Sequence, residues 1–344
     1  MKLFGTSMIK KIKFTTGGKI PNRFLNEIVF KNLGNSNDRV IYGPGIGRDA
    51  AAIRLSDNKI LVVKSDPITG TIKHIGRYAV IINANDIAVL GASPQFFMST
   101  ILIPIDTSLD DFSTICKDIN QAAKELNISI VGGHSEVTAK VENPIICGSM
   151  FGETTSDLLI MANSKPGDKL IMTKSAAIEG TAILAWDKED YLKDKIEKKV
   201  LIKAKNFINM LSILKESRIA LQIGGITAMH DPTEGGILNG IFELCESAKV
   251  GAIIYRDKIP IAKETKELCS VFKLDPLRLI SSGTLLMSIN SHVFEQTITA
   301  LESQGIAATC IGEIKEQKAI ILYEKNGNQE LINDQNQDQI WRVF

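Results

Sequence analysis

Gly43-Pro44-Gly45-Ile46-Gly47-Arg48-Asp49 runs directly into Ala51-Ala52-Ile53-Arg54-Leu55, and a second apolar run follows at residues 60–64. Both runs read as strands. Glycines let backbone N–H groups approach a phosphate with no Cβ in the way, so the loop invites comparison with known phosphate cradles. The two commonest are excluded. There is no GxxxxGK[ST], and a GxGxxG dinucleotide fingerprint needs a helix directly behind its glycines, whereas a strand follows here. Taken alone, the segment reads first as a tight turn.

Outward from this loop, strands and helices alternate. Residues 22–33 place Phe24, Leu25, Ile28, Val29 and Leu33 on one helical face, and a polar break from Gly34 to Arg39 separates them from Val40-Ile41-Tyr42. Residues 75–90 and 110–126 read as helices; in the second, Phe112, Ile115, Cys116, Ile119, Ala122, Ala123 and Leu126 follow the half-buried pattern. Apolar runs at 96–103, 128–131 and 144–151 suit strands. Asn163-Ser164-Lys165-Pro166-Gly167-Asp168 is a turn-rich boundary. Beyond it, strands are expected at 169–173, 252–255, 284–289 and 319–323. Helices are expected at 176–186, 193–217, 233–248, 262–272 and 293–303; residues 218–223 either extend a helix or form a strand. The expected architecture is α/β (α+β) in two domains. An extension (1–19) precedes a first domain (20–162); a second domain (168–325) and a polar, Asn/Gln-rich tail (326–344) follow.

At 344 residues and 44% hydrophobic content, the chain has material for two full cores. Forty Lys and Arg against 39 Asp and Glu leave a net charge of +1, without the basic excess of a nucleic-acid binder. The one basic run, Lys10, Lys11 and Lys13, has too few apolar neighbours for a signal peptide, and no stretch of 18 apolar residues suggests a membrane span. Cys116, Cys147, Cys245, Cys269 and Cys310 are far apart and form no CxxC pair. Buried thiols in a reducing, cytoplasmic setting are expected, with no zinc site.

Acidic residues recur beside glycines or element ends. Asp66 leaves the strand at 60–64, placed either to cap a turn or to meet a cation. Asn85-Asp86 lies in an apolar helical run, where a charge must be paired, with Arg48 or Arg77 for example, or must coordinate a metal. Gly132-Gly133-His134-Ser135-Glu136 follows a short strand; His134 is a candidate acid or base, though a lone loop histidine is more often structural. In His230-Asp231-Pro232-Thr233-Glu234-Gly235-Gly236, Asp231 as N-cap and Pro232 at the first helical position describe a helix start, which also suits a phosphate. Asp49, Asp66, Asp86 and Glu136 together form the oxygen-only set that magnesium and phosphates require. GxSxG is absent, and no His/Cys cluster offers a transition-metal site.

In their order, these motifs resemble the superfamily of aminoimidazole ribonucleotide (AIR) synthase, selenophosphate synthetase, thiamine-monophosphate kinase and HypE, and the HypE branch most. Gly17-Gly18-Lys19-Ile20-Pro21 is similar to GK(I/V)P, Gly47-Arg48-Asp49-Ala50-Ala51 to GDDAA and Lys64-Ser65-Asp66 to TTD. Asn85-Asp86-Ile87-Ala88 is similar to NDxA, Gly91-Ala92-Ser93-Pro94 to GAxP, residues 132–136 to GGHTE and 230–236 to HDPTRGG.

The resemblance implies a two-domain fold whose N-terminal sheet pairs across a homodimer into a barrel. It also implies ATP in a cleft, with Asp49, Asp66 and Asp86 holding Mg²⁺. Gly43, Gly45, Gly47, Asn85, Gly132, Gly133, Glu136, Asp231, Gly235 and Gly236 are implied around the nucleotide, and His134, Glu136 and Asp231 are the catalytic candidates. The implied chemistry is phosphoryl activation of a carbonyl-like oxygen on a small-molecule or protein-borne acceptor. HypE itself dehydrates a thiocarboxamide on its own terminal cysteine. This sequence ends Trp341-Arg342-Val343-Phe344, so that reaction is not expected in cis. A thiol-less hydrogenase-maturation partner and a catalytically silent nucleotide-binding dimer are the alternatives. Arg48 stands where the pattern has Asp and Glu234 where it has Arg, so an Arg48–Glu234 pair across the cleft is expected.

Overall fold

The computed structural model describes residues 14–15, 17–333 and 337–344. Lys10, Lys11 and Lys13 lie outside them. Ten helices are labelled in chain order: α1 (Asn22–Glu27), α2 (Ile75–Val89), α3 (Leu109–Glu125), α4 (Ile178–Asp187), α5 (Glu189–Leu192), α6 (Lys198–Lys205), α7 (Leu214–Ile223), α8 (Gly236–Ala248), α9 (Lys263–Phe272) and α10 (Phe294–Ser303). No helix among the described residues is long and apolar enough to cross a membrane.

The first sheet contains β1 (Val40–Tyr42), β2 (Ala51–Ser56), β3 (Lys59–Ile68), β4 (Ser93–Ile103), β5 (Ser129–Val137) and β6 (Ile145–Thr154), in the order β1-β2-β3-β6-β4-β5. Asp57-Asn58 supplies the two-residue turn of the β2–β3 hairpin. Only the β4–β5 pair is parallel. Helix α2 is apolar on nearly every face, and a helix of that kind must be enclosed. All its residues except Arg77 are buried, against β3, β6 and α3. Its apolar side chains join Val62, Phe97, Ile146 and Met150 in the core.

The second sheet contains β7 (Lys169–Thr173), β8 (Ile226–His230), β9 (Gly251–Tyr255), β10 (Leu286–Ile289), β11 (Ala308–Lys315), β12 (Ile320–Tyr323) and β13 (Gln329–Ile332). Their order is β13-β12-β9-β11-β7-β10-β8. The pattern at 193–217 resolves into α6, a 3-10 turn and the start of α7, which runs on through 218–223. Helix α8 begins at Gly236, four residues later than the capping reading of Asp231 implied, with Gly235 as N-cap at φ +83°. The stretch read as a polar tail supplies β13, and Asp338 starts a 3-10 turn over 339–342 whose Gln339 and Ile340 are buried. Cys245 and Cys269 are buried as expected; Cys116 is exposed, and Cys147 and Cys310 are half-buried.

Candidate functional site

Four segments distant in sequence meet in one cleft. The loop after β1 carries Asp49, β3 carries Lys64 and Asp66, α2 carries Asp86, and β8 ends in His230 with Asp231 the next residue. Each arrives for a local reason. Gly47 lies at φ +67° with its Cα so near α8 that a Cβ would fall 2.2 Å from the Glu243 carbonyl oxygen, so only glycine lets the loop press onto that helix. Asn83 of α2 donates to the Asp66 carbonyl at 3.3 Å and fastens the end of β3.

The acids are tied into two chains of charge. In the first, Lys19 Nζ lies 3.0 Å from Glu243 Oε1, and His230 Nε2 lies 3.1 Å from Glu243 Oε2. The other ring nitrogen of His230, Nδ1, lies 2.8 Å from Asp49 Oδ2. In the second, Lys64 Nζ lies 3.2 Å from Asp86 Oδ2 and 4.0 Å from Asp66 Oδ2. Asp231 belongs to neither chain. It has no exposed surface, and neither carboxylate oxygen has a hydrogen-bond partner among the described residues. Asp49, His230 and Asp231 each place one ligand atom within 4.8 Å of the others.

The electrostatics follow from this wiring. Burial, reinforced by Asp86 and Asp49, pushes the Asp231 carboxyl well above the ordinary range. Burial likewise raises Asp86 to about 8, against the pull of Lys64. Although burial opposes it, the carboxylates of Asp49 and Glu243 raise His230 well above an ordinary histidine. Its ring is therefore an imidazolium donating from both nitrogens. Against the same opposing burial, Lys19 and His230 hold Glu243 down to about 2.

The cleft beside these groups encloses about 490 Å³ and is lined by Gly45, Gly47, Arg48, Lys64, Asp66 and Thr233, among others. A second hollow of about 390 Å³ adjoins it, sharing Lys19, Asp66 and Thr233 and continuing to Glu179, Glu234 and Trp341. Glu179, on α4, is buried; burial pushes its carboxyl up to about 8, and its Oε2 lacks a partner among the described residues.

Of the sequence candidates, Asp49, Asp66, Asp86 and Asp231 converge, with Gly45 and Gly47 on the wall. Gly43 instead gives its carbonyl to Arg48 Nη1 at 3.0 Å. Asn85 is turned away: its amide donates to Leu211 O at 2.9 Å and accepts from Ile213 N at 3.1 Å, so its role is to fasten helix to loop. Gly132, Gly133, His134 and Glu136 lie on the exposed edge strand β5 and line neither hollow. There His134 and Glu136 face each other at 3.5 Å. Gly235 and Gly236 begin α8, but the Gly235 N–H is taken by Asp338 Oδ2 at 2.6 Å.

The expected Arg48–Glu234 pair is absent. Glu234 Oε2 accepts the Lys19 backbone N–H at 2.7 Å, while the Arg48 guanidinium stacks 4.5 Å from the Tyr42 ring. Sequence reasoning missed Lys19, Lys64, Glu243 and Glu179 as site residues. For Glu179 the signal was present, an acid in an apolar helix, the same oddity that marked Asp86.

Residues 47–154 match the AIR synthase related protein N-terminal domain, and residues 165–325 match the corresponding C-terminal domain. The chain is 30% identical over 322 residues to a "Putative hydrogenase expression/formation protein" of Methanocaldococcus jannaschii, covering 89% of this chain and 91% of the relative. This chain belongs to the AIR synthase related family. Within that family it is also 28% identical over 289 residues to the thiamine-monophosphate kinase of Pyrococcus horikoshii, covering 80% of this chain and 85% of the kinase. A crystal structure of the hydrogenase maturation protein HypE in complex with ATP shares the fold at TM-score 0.70 and 20% identity, over 94% of this chain and 97% of that one. The two-domain architecture of this AIR synthase related chain is thus that of HypE.

Proposed function

We propose that this AIR synthase related protein binds ATP with Mg²⁺ in the cleft beside Asp49 and transfers the terminal phosphoryl group to a carbonyl-like oxygen of an acceptor in the adjoining hollow. The observation that carries the reading is Asp231. A fully buried carboxylate with both oxygens unpartnered is costly unless a cation completes it, and Asp49 stands within reach to share that cation. The donor set is oxygen, with no thiolate, which suits magnesium. Bound there, the ion would supply charge neutralisation on the phosphates.

The chain's own residues do the rest. The glycine-rich backbone at 44–47 lets phosphate oxygens approach its N–H groups, and the Lys64 ammonium faces the same space. Lys19, Asp66 and Thr233 line both hollows, so a group passed from one to the other would cross between these side chains. The hydrogenase-related name of the 30% identical relative favours a second reading, a maturation partner whose acceptor is carried on another protein. The fully exposed strand β5, with Ile130, Val131 and Val137 open, supports a homodimer whose sheets meet in a barrel. That pairing is also how Gly132, Gly133, His134 and Glu136 would gain a partner.

Calorimetric titration with ATP, with and without Mg²⁺, tests the reading. Saturable, Mg²⁺-enhanced binding in the wild type and its loss in Asp231→Asn are expected, followed by ADP release with a competent acceptor. Wild-type protein that takes up no ATP overturns it.

A further inference from the structure

The acids of the cleft fall into two groups according to what already neutralises them. Asp66 and Asp86 face the Lys64 ammonium, which keeps only a fifth of its side-chain surface exposed. Asp49 and Asp231 form the second group. Asp49 is engaged through one oxygen by His230, whose other nitrogen is committed to Glu243. With a carboxylate oxygen at each of its two ring nitrogens, at 2.8 and 3.1 Å, His230 has no nitrogen free to face a metal, so Asp49 and Asp231 are the ligands that remain.

Arg48 does not compete for these carboxylates, because its guanidinium is turned to Gly43 and Tyr42.

We propose that Lys64 is a built-in cation occupying the Asp66–Asp86 half of the site, so that each chain takes up a single divalent ion, held by Asp49 and Asp231. The difference is chemical as well as numerical. A tethered ammonium can donate hydrogen bonds to a phosphate oxygen, but it cannot be removed by a chelator and cannot bring coordinated water. The protein therefore keeps part of its phosphate-facing charge when divalent ions are stripped away.

The test counts bound Mn²⁺ without nucleotide, from the loss of the free-ion electron paramagnetic resonance signal. Wild type is expected to bind one ion per chain, Asp231→Asn none, and Asp86→Asn still one. Removing the ammonium in Lys64→Met or Lys64→Gln should raise the count to two, and adding Asp86→Asn to either should return it to one. Lys64→Arg, which keeps the charge, should stay at one. A wild-type count of two, or loss of the wild-type ion in Asp86→Asn, overturns the proposal whether or not the Lys64 variants fold. A count of one in a folded Lys64→Met protein overturns it equally. The inference shares its site with the proposed function but not its fate: one Mn²⁺ bound by a protein that takes up no ATP removes the nucleotide reading and leaves this one standing.

Discussion

His230 Nδ1 lies 2.8 Å from Asp49 Oδ2, joining the last residue of β8 in the second sheet to the loop that enters β2 in the first. This contact, continued to Glu243 on α8, is a buried charged bridge between the halves of the protein. His230→Ala would leave two enclosed carboxylates without their shared counter-charge, at a cost of about 3–5 kcal/mol in urea unfolding. The folded-state value of His230 lies above its unfolded value, so the stabilisation is fully present below about pH 6.5 and fades as pH rises through the folded value. The gap between wild type and variant should accordingly be widest near pH 6 and shrink in alkali. A gap below about 1 kcal/mol at pH 6 would contradict the imidazolium assignment.

Asp231 gives the opposite sign. Its folded value is raised, so its cost is nil below the unfolded value near pH 4 and grows as pH climbs towards the folded one. In EDTA at pH 8, Asp231→Asn should melt several degrees above wild type, and the difference should vanish near pH 4. Mg²⁺ should raise the wild-type melting temperature and leave the variant unmoved. Equal responses to Mg²⁺ would place the ion elsewhere.

Asp338 and Gln339 are tied to the rest of the protein at several points. Asp338 accepts from Gly235 N at 2.6 Å and from Ile340 N at 2.7 Å, and Gln339 Oε1 accepts from Asp275 N at 2.6 Å. Asp338→Ala strands two buried N–H groups and is expected to cost about 2–4 kcal/mol. Limited proteolysis should then cut near residue 337 in the variant before it cuts the wild type. Unchanged cleavage would mean that the clamp lies elsewhere.

Strand β5 predicts the oligomer. Ile130, Val131 and Val137 are exposed on an unpaired edge, beside the exposed Phe96 and Met98 of β4. The mass in solution at micromolar concentration should be that of two chains, and Ile130→Glu with Val137→Glu should halve it. A wild-type monomer would refute the homodimer.

Much of this was legible in the sequence. Helix α2 announced itself by an unbroken apolar run, and Asp86 within it by being out of place. The β2–β3 hairpin was visible in two apolar runs flanking Asp57-Asn58. What stayed hidden depended on distant partners. Strand β8 is five residues hard against Gly224-Gly225, too short for its pattern to stand out. In β11, Gly312 and a register shift break the alternation. Glu243 sits mid-helix, where an acid ordinarily means solvent, and only the fold reveals Lys19 and His230 on either side of it. Asn85 misled for the same reason: a buried amide can serve a ligand or a backbone, and here the backbone claims both ends. Arg48 and Glu234 were matched by opposite sign alone, but Tyr42 and Lys19 were nearer.

That claim by Asn85 has a mechanical consequence. Its amide grips the chain at Leu211 and Ile213 from within α2, and Ser217 of α7 adds a bond to the Ala88 carbonyl. Clasped on that side, the helix is stitched to the segment that leads into α7, and any pivot between the two sheets has to break these bonds. The rim of the adjoining hollow lies elsewhere, where Gly17 and Gly18 meet Trp341. Rate limits on exchange should respond to changes at that doorway and not to changes in the hull.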